Sequence, residues 1–258
     1  MISKATVKFI HSLELKKNRC KEGLFVAEGP KVVADLLAVA LPKHIIATSE
    51  WIEKHHKEFS RCDKVHISEV TEDELRKASF LKHPQQVIGV FPIPNPNTDK
   101  SVTEIPGRQL CLALDGVQDP GNLGTIIRIA DWFGIEHVYC SDDTADAYNP
   151  KVVQATMGSI ARVKLHYTNL GQFITQLPQS VPVYGTLLDG QNIYTQELSP
   201  HGLIVMGNEG NGISADIRKL INQKLLIPSY PADTDTAESL NVAIATAITC
   251  AEFRRRIS

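Results

Sequence analysis

The chain has 258 residues, a formal net charge of −2, 43% hydrophobic residues and 22% charged ones. At roughly 100–200 residues per domain this allows one large domain or two small ones with a sizeable core. The charge balance excludes a generally basic nucleic-acid coat protein, but a local basic patch stays open, because affinity depends on where charge sits. Five scattered cysteines (Cys20, Cys62, Cys111, Cys140, Cys250) with no CxxC pair support neither a disulfide framework nor a zinc site. Reduced, buried thiols in a cytoplasmic protein are the expectation. The N-terminus lacks the apolar stretch of a secretory leader, and no run approaches the ~18 apolar residues of a membrane span. Neither a membrane nor a metal is expected as a partner.

The first 24 residues hold Lys4, Lys8, Lys16, Lys17, Arg19 and Lys21 against Glu14 and Glu22, a local excess of +4. Such a cluster suits phosphate contacts, or else forms a plain solvated face. Short β-branched runs follow, LFVAEG, HIIATS, KVHIS and VIGVF, which read as strands. KVVADLLAVA has apolar residues at 32, 33, 36, 37 and 40, a helical spacing. Thr71 with Glu74 predicts a capping box. This is a small α/β domain. FPIPNPNTDKSVTEIPGRQ, residues 91–109, carries four prolines and reads as a linker.

Beyond the linker, LCLAL (110–114), HVYC (137–140), VKLH (163–166), VYGTLL (183–188), LIVM (203–206) and KLLIP (224–228) are candidate strands. Most are continuous apolar runs, as in strands covered on both faces. A parallel sheet with helices on both sides is expected, with sites at the carboxyl ends of its strands.

Three strand ends carry unusual residues. In LALDGVQDPGNLGTIIRIADWFGI (112–135) a strand ends at Asp115, a Gly-rich turn follows, and a helix presents Ile126, Ile127, Ala130 and Phe133 on one face. Arg128 points away from that face, near the helix's N-terminal half, where anions are favoured. It is a phosphate fork or an ordinary surface arginine. In LIVMGNEGNGIS (203–214) a strand stops at Gly207, and Glu209 argues against a dinucleotide loop. In LLIPSYPADTDTAESLNVAIATAITCAEFRRR (225–256), Ser239 and Asn241 open a helix that is apolar nearly all round. Such a helix belongs in a core or against a partner subunit. Arg254, Arg255 and Arg256 make a second basic cluster.

In this order, each at a strand end, the three stretches resemble the SpoU (TrmH-type) family of RNA ribose 2′-O-methyltransferases, within the SPOUT superfamily. DPGNLGTIIRIAD resembles the family's first motif, MGNEGNGIS its second and IP…ESLNVAIATAI its third. The resemblance covers about 106–258. FVAEGPKVV (25–33) resembles, more weakly, the family's N-terminal substrate-binding domain.

The resemblance implies an α/β fold with a mostly parallel SPOUT-type sheet and a C-terminal trefoil knot, preceded by a small α/β RNA-binding domain. The boundaries expected are 1–95, a linker at 96–108, and a methyltransferase domain at 109–258. It implies S-adenosylmethionine as cofactor, bound at Thr186, Gly207, Ile227 and Leu240. It places Arg128, Asn122, Glu209, Ser239 and Asn241 in the catalytic site, Arg128 beside the target ribose and its phosphate, and Glu209 ordering its loop or pairing with Arg128. It further implies a homodimer with active sites built across the interface. The substrate implied is RNA, with large-subunit ribosomal RNA favoured over transfer RNA. A non-catalytic ribosome-assembly factor is the alternative of a different class. One departure is the glycine-free loop SYPADTDTAE, 229–238, longer than the family's usual connection.

Overall fold

The structure, a computed structural model, describes residues 2–59, 65–94, 102–231 and 237–256. The chain forms two compact units. One comprises Met1–Pro94 with Asp146–Ala161, the other Asn95–Ala145 with Arg162–Ser258.

The first unit opens with α1 (Lys4–Ser12) and α2 (Lys16–Glu22), then β1 (Leu24–Glu28), α3 (Pro30–Leu37), β2 (His44–Ala47), α4 (Ser49–Phe59), β3 (His66–Glu69), α5 (Glu72–Ala78) and β4 (Val87–Pro92). The strands make one sheet in the order β1-β4-β2-β3, with only β2 and β3 parallel. Ile10, Leu13, Val26, Ile46, Leu75, Ile88 and Val90 form the core of one face. The capping box at α5 is present: Thr71 accepts from the Glu74 amide, and Glu74 accepts from the Thr71 amide. The run 91–109 is less of a linker than its prolines suggest. Phe91 is buried within β4, and Val102 and Ile105 pack on the core of the second unit. Residues 95–101 of the expected linker lie outside the described residues.

Arg19 departs from the surface-charge reading. It is 1% exposed and donates through Nε and Nη2 to Asp146, at 3.1 and 2.5 Å. Its Nη1 donates to the carbonyls of Leu13 and Glu14 just past α1. A guanidinium with this many acceptors can be buried. Its partner lies 127 residues away, so charge counting could not find it.

The second unit contains β5 (Leu110–Asp115), α6 (Pro120–Trp132) and β6 (His137–Cys140). The chain then forms α7 (Pro150–Ala155), within the first unit. It resumes the second unit with β7 (Lys164–Tyr167), α8 (Leu170–Thr175), β8 (Val183–Asn192), β9 (Gly202–Gly207), α9 (Ala215–Arg218), β10 (Gln223–Leu226) and α10 (Val242–Arg255). Its six strands are all parallel, in the order β10-β8-β9-β5-β6-β7. β5 and β9 are buried at every position, as the continuous apolar runs predict. The strand order turns back between β5 and β9, so the crevice expected of a doubly wound sheet lies at their carboxyl ends, Asp115 and Gly207. β10 pairs with Tyr184–Gly185 and then jumps to Gln191–Asn192 of β8.

Cys111, Cys140 and Cys250 are buried, and burial pushes each thiol up to about 12. Cys20 is exposed, against expectation, and Cys62 lies outside the described residues. Among the described residues, no helix is long and apolar enough to cross a membrane, and no group of three or more His, Cys, Asp or Glu could hold a metal.

Candidate active site

The first loop is built by its own sequence. Asp119 caps α6 by accepting from the Asn122 amide at 2.8 Å, and Pro120 takes the first helical position, where its missing N–H costs nothing. Gly116 adopts φ 74° as the chain leaves β5, and its amide donates to Ser141 Oγ. The second loop is a tight hairpin. Asn208 and Gly212 exchange backbone hydrogen bonds of 2.9 and 3.0 Å. Asn208 Oδ1 accepts from the amides of Gly210 and Asn211, while its Nδ2 donates to the Gly116 carbonyl. The buried Asp115 carboxylate closes the same hairpin by accepting from the Ser214 amide at 2.7 Å.

Three predicted residues meet here. Glu209 accepts from the amides of Gln118 and Asp119 at 3.2 and 3.1 Å and from Asn122 Nδ2 at 3.1 Å. Asn241 Nδ2 donates to Asn122 Oδ1 at 2.9 Å. Asn241 Oδ1 meanwhile caps α10, accepting from the amides of Ala243 and Ile244. Asn122 thus links the second loop to the start of the last helix. Partial burial works against the Glu209 charge. The Asn122 amide group and backbone N–H groups outweigh it and hold the carboxyl below its ordinary range. Glu209 therefore acts as an ionised acceptor that orders the first loop.

Arg128 is not part of this network. It is the ninth of the thirteen residues of α6, in the C-terminal half, so the helix N-terminus does not assist it. Six residues separate it from Asn122, about 9 Å along the axis and on another face of the helix. It is exposed, and it makes no hydrogen bond or ion pair with the described residues. Ser239 is also exposed, and among the described residues it caps no helix; the cap of α10 is Asn241.

The residues expected around a cofactor occupy successive strand and loop ends. Thr186 lies in β8 just past its paired start, with its hydroxyl toward Met206 Sδ at 3.7 Å. Gly207 ends β9, and a Cβ there would sit 2.2 Å from Gly212 C and 2.3 Å from Ile213 N. The half-buried Ile227 follows β10, and Leu240, 49% exposed, precedes α10. Residues 232–236 of the intervening loop lie outside the described residues.

The last helix is not covered all round. Ile244 is 52% exposed, Ala251 is exposed and Ile248 is half-buried, giving an open apolar stripe. The arginines at its end are committed to structure. Arg254 donates to the carbonyls of Phe133 and Gly134 after α6, at 2.7 and 3.1 Å. Arg256 donates to the carbonyls of Gln196, Ile193 and Tyr194. Arg255 and Arg256 both bind the buried carboxylate of Glu252 at 2.8 Å. This cluster is not a free phosphate site. The hydrogen bonds from Arg255, reinforced by Arg256, hold Glu252 down at about 2 against an ordinary value of 4.5. A depressed carboxyl contributes stability that is complete above its unfolded value and lost as pH falls through its folded one. Wild type should therefore lose thermal stability between pH 4.5 and 2. Glu252→Gln should be less stable above that window, with the gap narrowing inside it. A gap constant with pH, by calorimetry, would remove Glu252 from the acid response.

Residues 109–251 match the family model described as SpoU rRNA Methylase family, and residues 4–89 match an MRM3-like substrate binding domain. The 23S rRNA (guanosine(2553)-2'-O)-methyltransferase RlmP of Bacillus subtilis is 34% identical over 94% of this chain and 93% of its own. A structure described as a putative RNA methyltransferase of the TrmH family from Porphyromonas gingivalis covers 99% of both chains, with TM-score 0.85 and 38% identity. An AdoMet-bound rRNA methyltransferase from Sinorhizobium meliloti covers 100% of this chain and 97% of its own, with TM-score 0.87 and 31% identity.

Proposed function

The chain belongs to the SpoU rRNA methylase family, and from that premise we propose that it methylates a ribose 2′-hydroxyl of ribosomal RNA, using S-adenosylmethionine. The carrying observation is the hydrogen-bonded set Glu209–Asn122–Asn241, which joins the three motifs beside the carboxyl ends of β5 and β9.

The hairpin after β9 packs its 212–213 backbone directly on Gly207, a closeness only glycine allows, and we assign the backbone of this strand end to the cofactor. Thr186, Ile227 and Leu240 supply a hydroxyl and apolar surface for an adenosine group. When bound, S-adenosylmethionine supplies the electrophilic methyl group. Asn122 and Asn241 fix the loop that receives the ribose, and the exposed Ser239, two residues before Asn241 in the chain, contributes its hydroxyl. Arg128 would hold the adjoining phosphate and orient the 2′-hydroxyl for methyl transfer, a positioning effect. A guanidinium is too weak a base to take the proton. The proton lost from the 2′-hydroxyl would go to phosphate or water.

The distance of Arg128 from the network supports a homodimer in which Arg128 completes a partner's site. The open apolar stripe of α10 supports the same assembly. We place the enzyme in the cytoplasm, where ribosomal RNA is assembled, and assign its chain the trefoil knot of the fold. The exposed Lys4, Lys8, Lys16, Lys17 and Lys21 are the phosphate-binding patch of the substrate domain. Reversing these five to glutamate should weaken RNA binding and flatten its salt dependence, by about 0.7–0.9 in log–log slope for each phosphate no longer neutralised. Cofactor affinity should not change, and unchanged RNA affinity would refute the patch.

The test of the function is methyl transfer from labelled S-adenosylmethionine to unmodified RNA. Label in ribosomal RNA is expected. Label in transfer RNA alone would replace the substrate class. Tight RNA binding with no label in either, including native assembly particles, would favour a non-catalytic assembly factor.

A further inference from the structure

We propose that Trp132 is a stacking platform for a nucleobase of the substrate RNA beside the methylated ribose, which makes it a substrate-positioning residue. The proposal rests on the ribosomal-RNA methyltransferase reading and adds to it a residue that the motifs do not contain.

Trp132 is 85% exposed, whereas the chain's other tryptophan, Trp51, is 1% exposed. An indole offers a large, flat apolar face with a polar N–H at its edge. Its position is specific. Gly121, Thr125, Arg128 and Trp132 are all exposed and fall within roughly 60° of one another around α6. The opposite side of the helix buries Leu123, Ile126, Ile127 and Ala130. Trp132 therefore lies one turn beyond Arg128 on the same stripe, about 6 Å along the axis. Wherever Arg128 meets a ribose and its phosphate, the indole is within reach of a neighbouring base.

The backbone that carries the indole is anchored. On one side of it Asp131 receives both Nε and Nη2 of Arg162, at 2.8–3.0 Å. On the other, Arg254 grips the carbonyls of Phe133 and Gly134. With that backbone anchored, only the indole's own side-chain torsions are left to be ordered on binding. The surroundings select the occupant. The apolar stripe that suits a second copy lies on α10, whereas the indole's stripe neighbours along α6 are a glycine, a threonine and a cation. That combination suits a nucleotide: arginine for the phosphate, indole for the base. Unpaired RNA bases are recognised by stacking of this kind.

The test compares full-length wild type with Trp132→Ala and Trp132→Phe on ribosomal RNA. Stacking is worth ~1–3 kcal/mol per base, so KM for RNA should rise about tenfold in Trp132→Ala. Its kcat should stay within about twofold and its S-adenosylmethionine affinity should not move; phenylalanine should restore most of KM. Binding of RNA should quench the fluorescence of Trp132 in wild type, and that quench should vanish in Trp132→Phe, where only Trp51 emits. An unchanged KM with no quench overturns the proposal. So does a change in oligomeric state without loss of RNA affinity, which would assign the indole to a contact between copies. A wild type that methylates no RNA would instead overturn the underlying reading.

Discussion

Replacing Arg128 by alanine should lower turnover by about 10²–10³-fold, the scale for losing a preorganised charged contact to reacting groups. Fold and cofactor affinity should be unaffected, because Arg128 is exposed and bonded to none of the described residues. Lysine should recover little. A compact ammonium keeps the charge but loses the planar fork that grips a phosphate and a hydroxyl together. Steady-state kinetics of the two variants, with S-adenosylmethionine binding by calorimetry, decide the matter. Near-normal turnover of Arg128→Lys would contradict both a proton-accepting and an orienting role. If sites are shared between copies, mixing Arg128→Ala with a variant defective in Asn122 should restore part of the activity through hybrid dimers.

The second large effect is expected at Gly207. An alanine Cβ there would lie 2.2–2.6 Å from the carbonyl group of Gly212 and the amide nitrogen of Ile213. These are backbone atoms in a hairpin pinned by the Asn208–Gly212 pair and by Asn208 Nδ2 on the Gly116 carbonyl. The hairpin must move as a unit, and overpacking of this kind costs about 1–3 kcal/mol. Gly207→Ala should lower Tm by several degrees and weaken cofactor binding by at least about tenfold, the equivalent of 1.4 kcal/mol. Gly210→Ala is the control: its Cβ would meet only Asn208 Oδ1, at 3.6 Å. Equal cofactor affinity in the two variants would show that the backbone at Gly207 does not form the cofactor cradle.

Much of the fold was legible because local rules and burial agreed. The apolar runs at 110–114 and 203–206 are the central strands β5 and β9, and Thr71 with Glu74 is a capping box. Asn241 was legible as a helix-start residue, since few side chains cap so well. What sequence could not give were partners far along the chain. The Arg19–Asp146 pair spans 127 residues, and Arg254 closes α6 from 120–121 residues away. Both arginines looked like surface charge. The Glu209–Asn122–Asn241 set spans 87 and 119 residues, and the motifs put its members at strand ends without showing that they touch. Asp119 before Pro120 is a cap-and-proline signature that places the helix start and shows Arg128 to be too far along to use it. Nothing in the hydrophobic pattern separates residues 146–161 from the sheet they interrupt. Their place in the first unit depends on the pairing of Asp146 and on the packing of α7 against β1.

The most direct test of the central claim is the identity of the methylated nucleoside. Ribosomal RNA incubated with the protein and S-adenosylmethionine should yield, after complete digestion and mass spectrometry, one additional 2′-O-methylnucleoside. Its initial rate of formation should fall by about 10²–10³-fold with Arg128→Ala, although the variant still binds cofactor. A methyl group on a base, or a ribose methylation that keeps a near-normal rate without Arg128, would contradict the account.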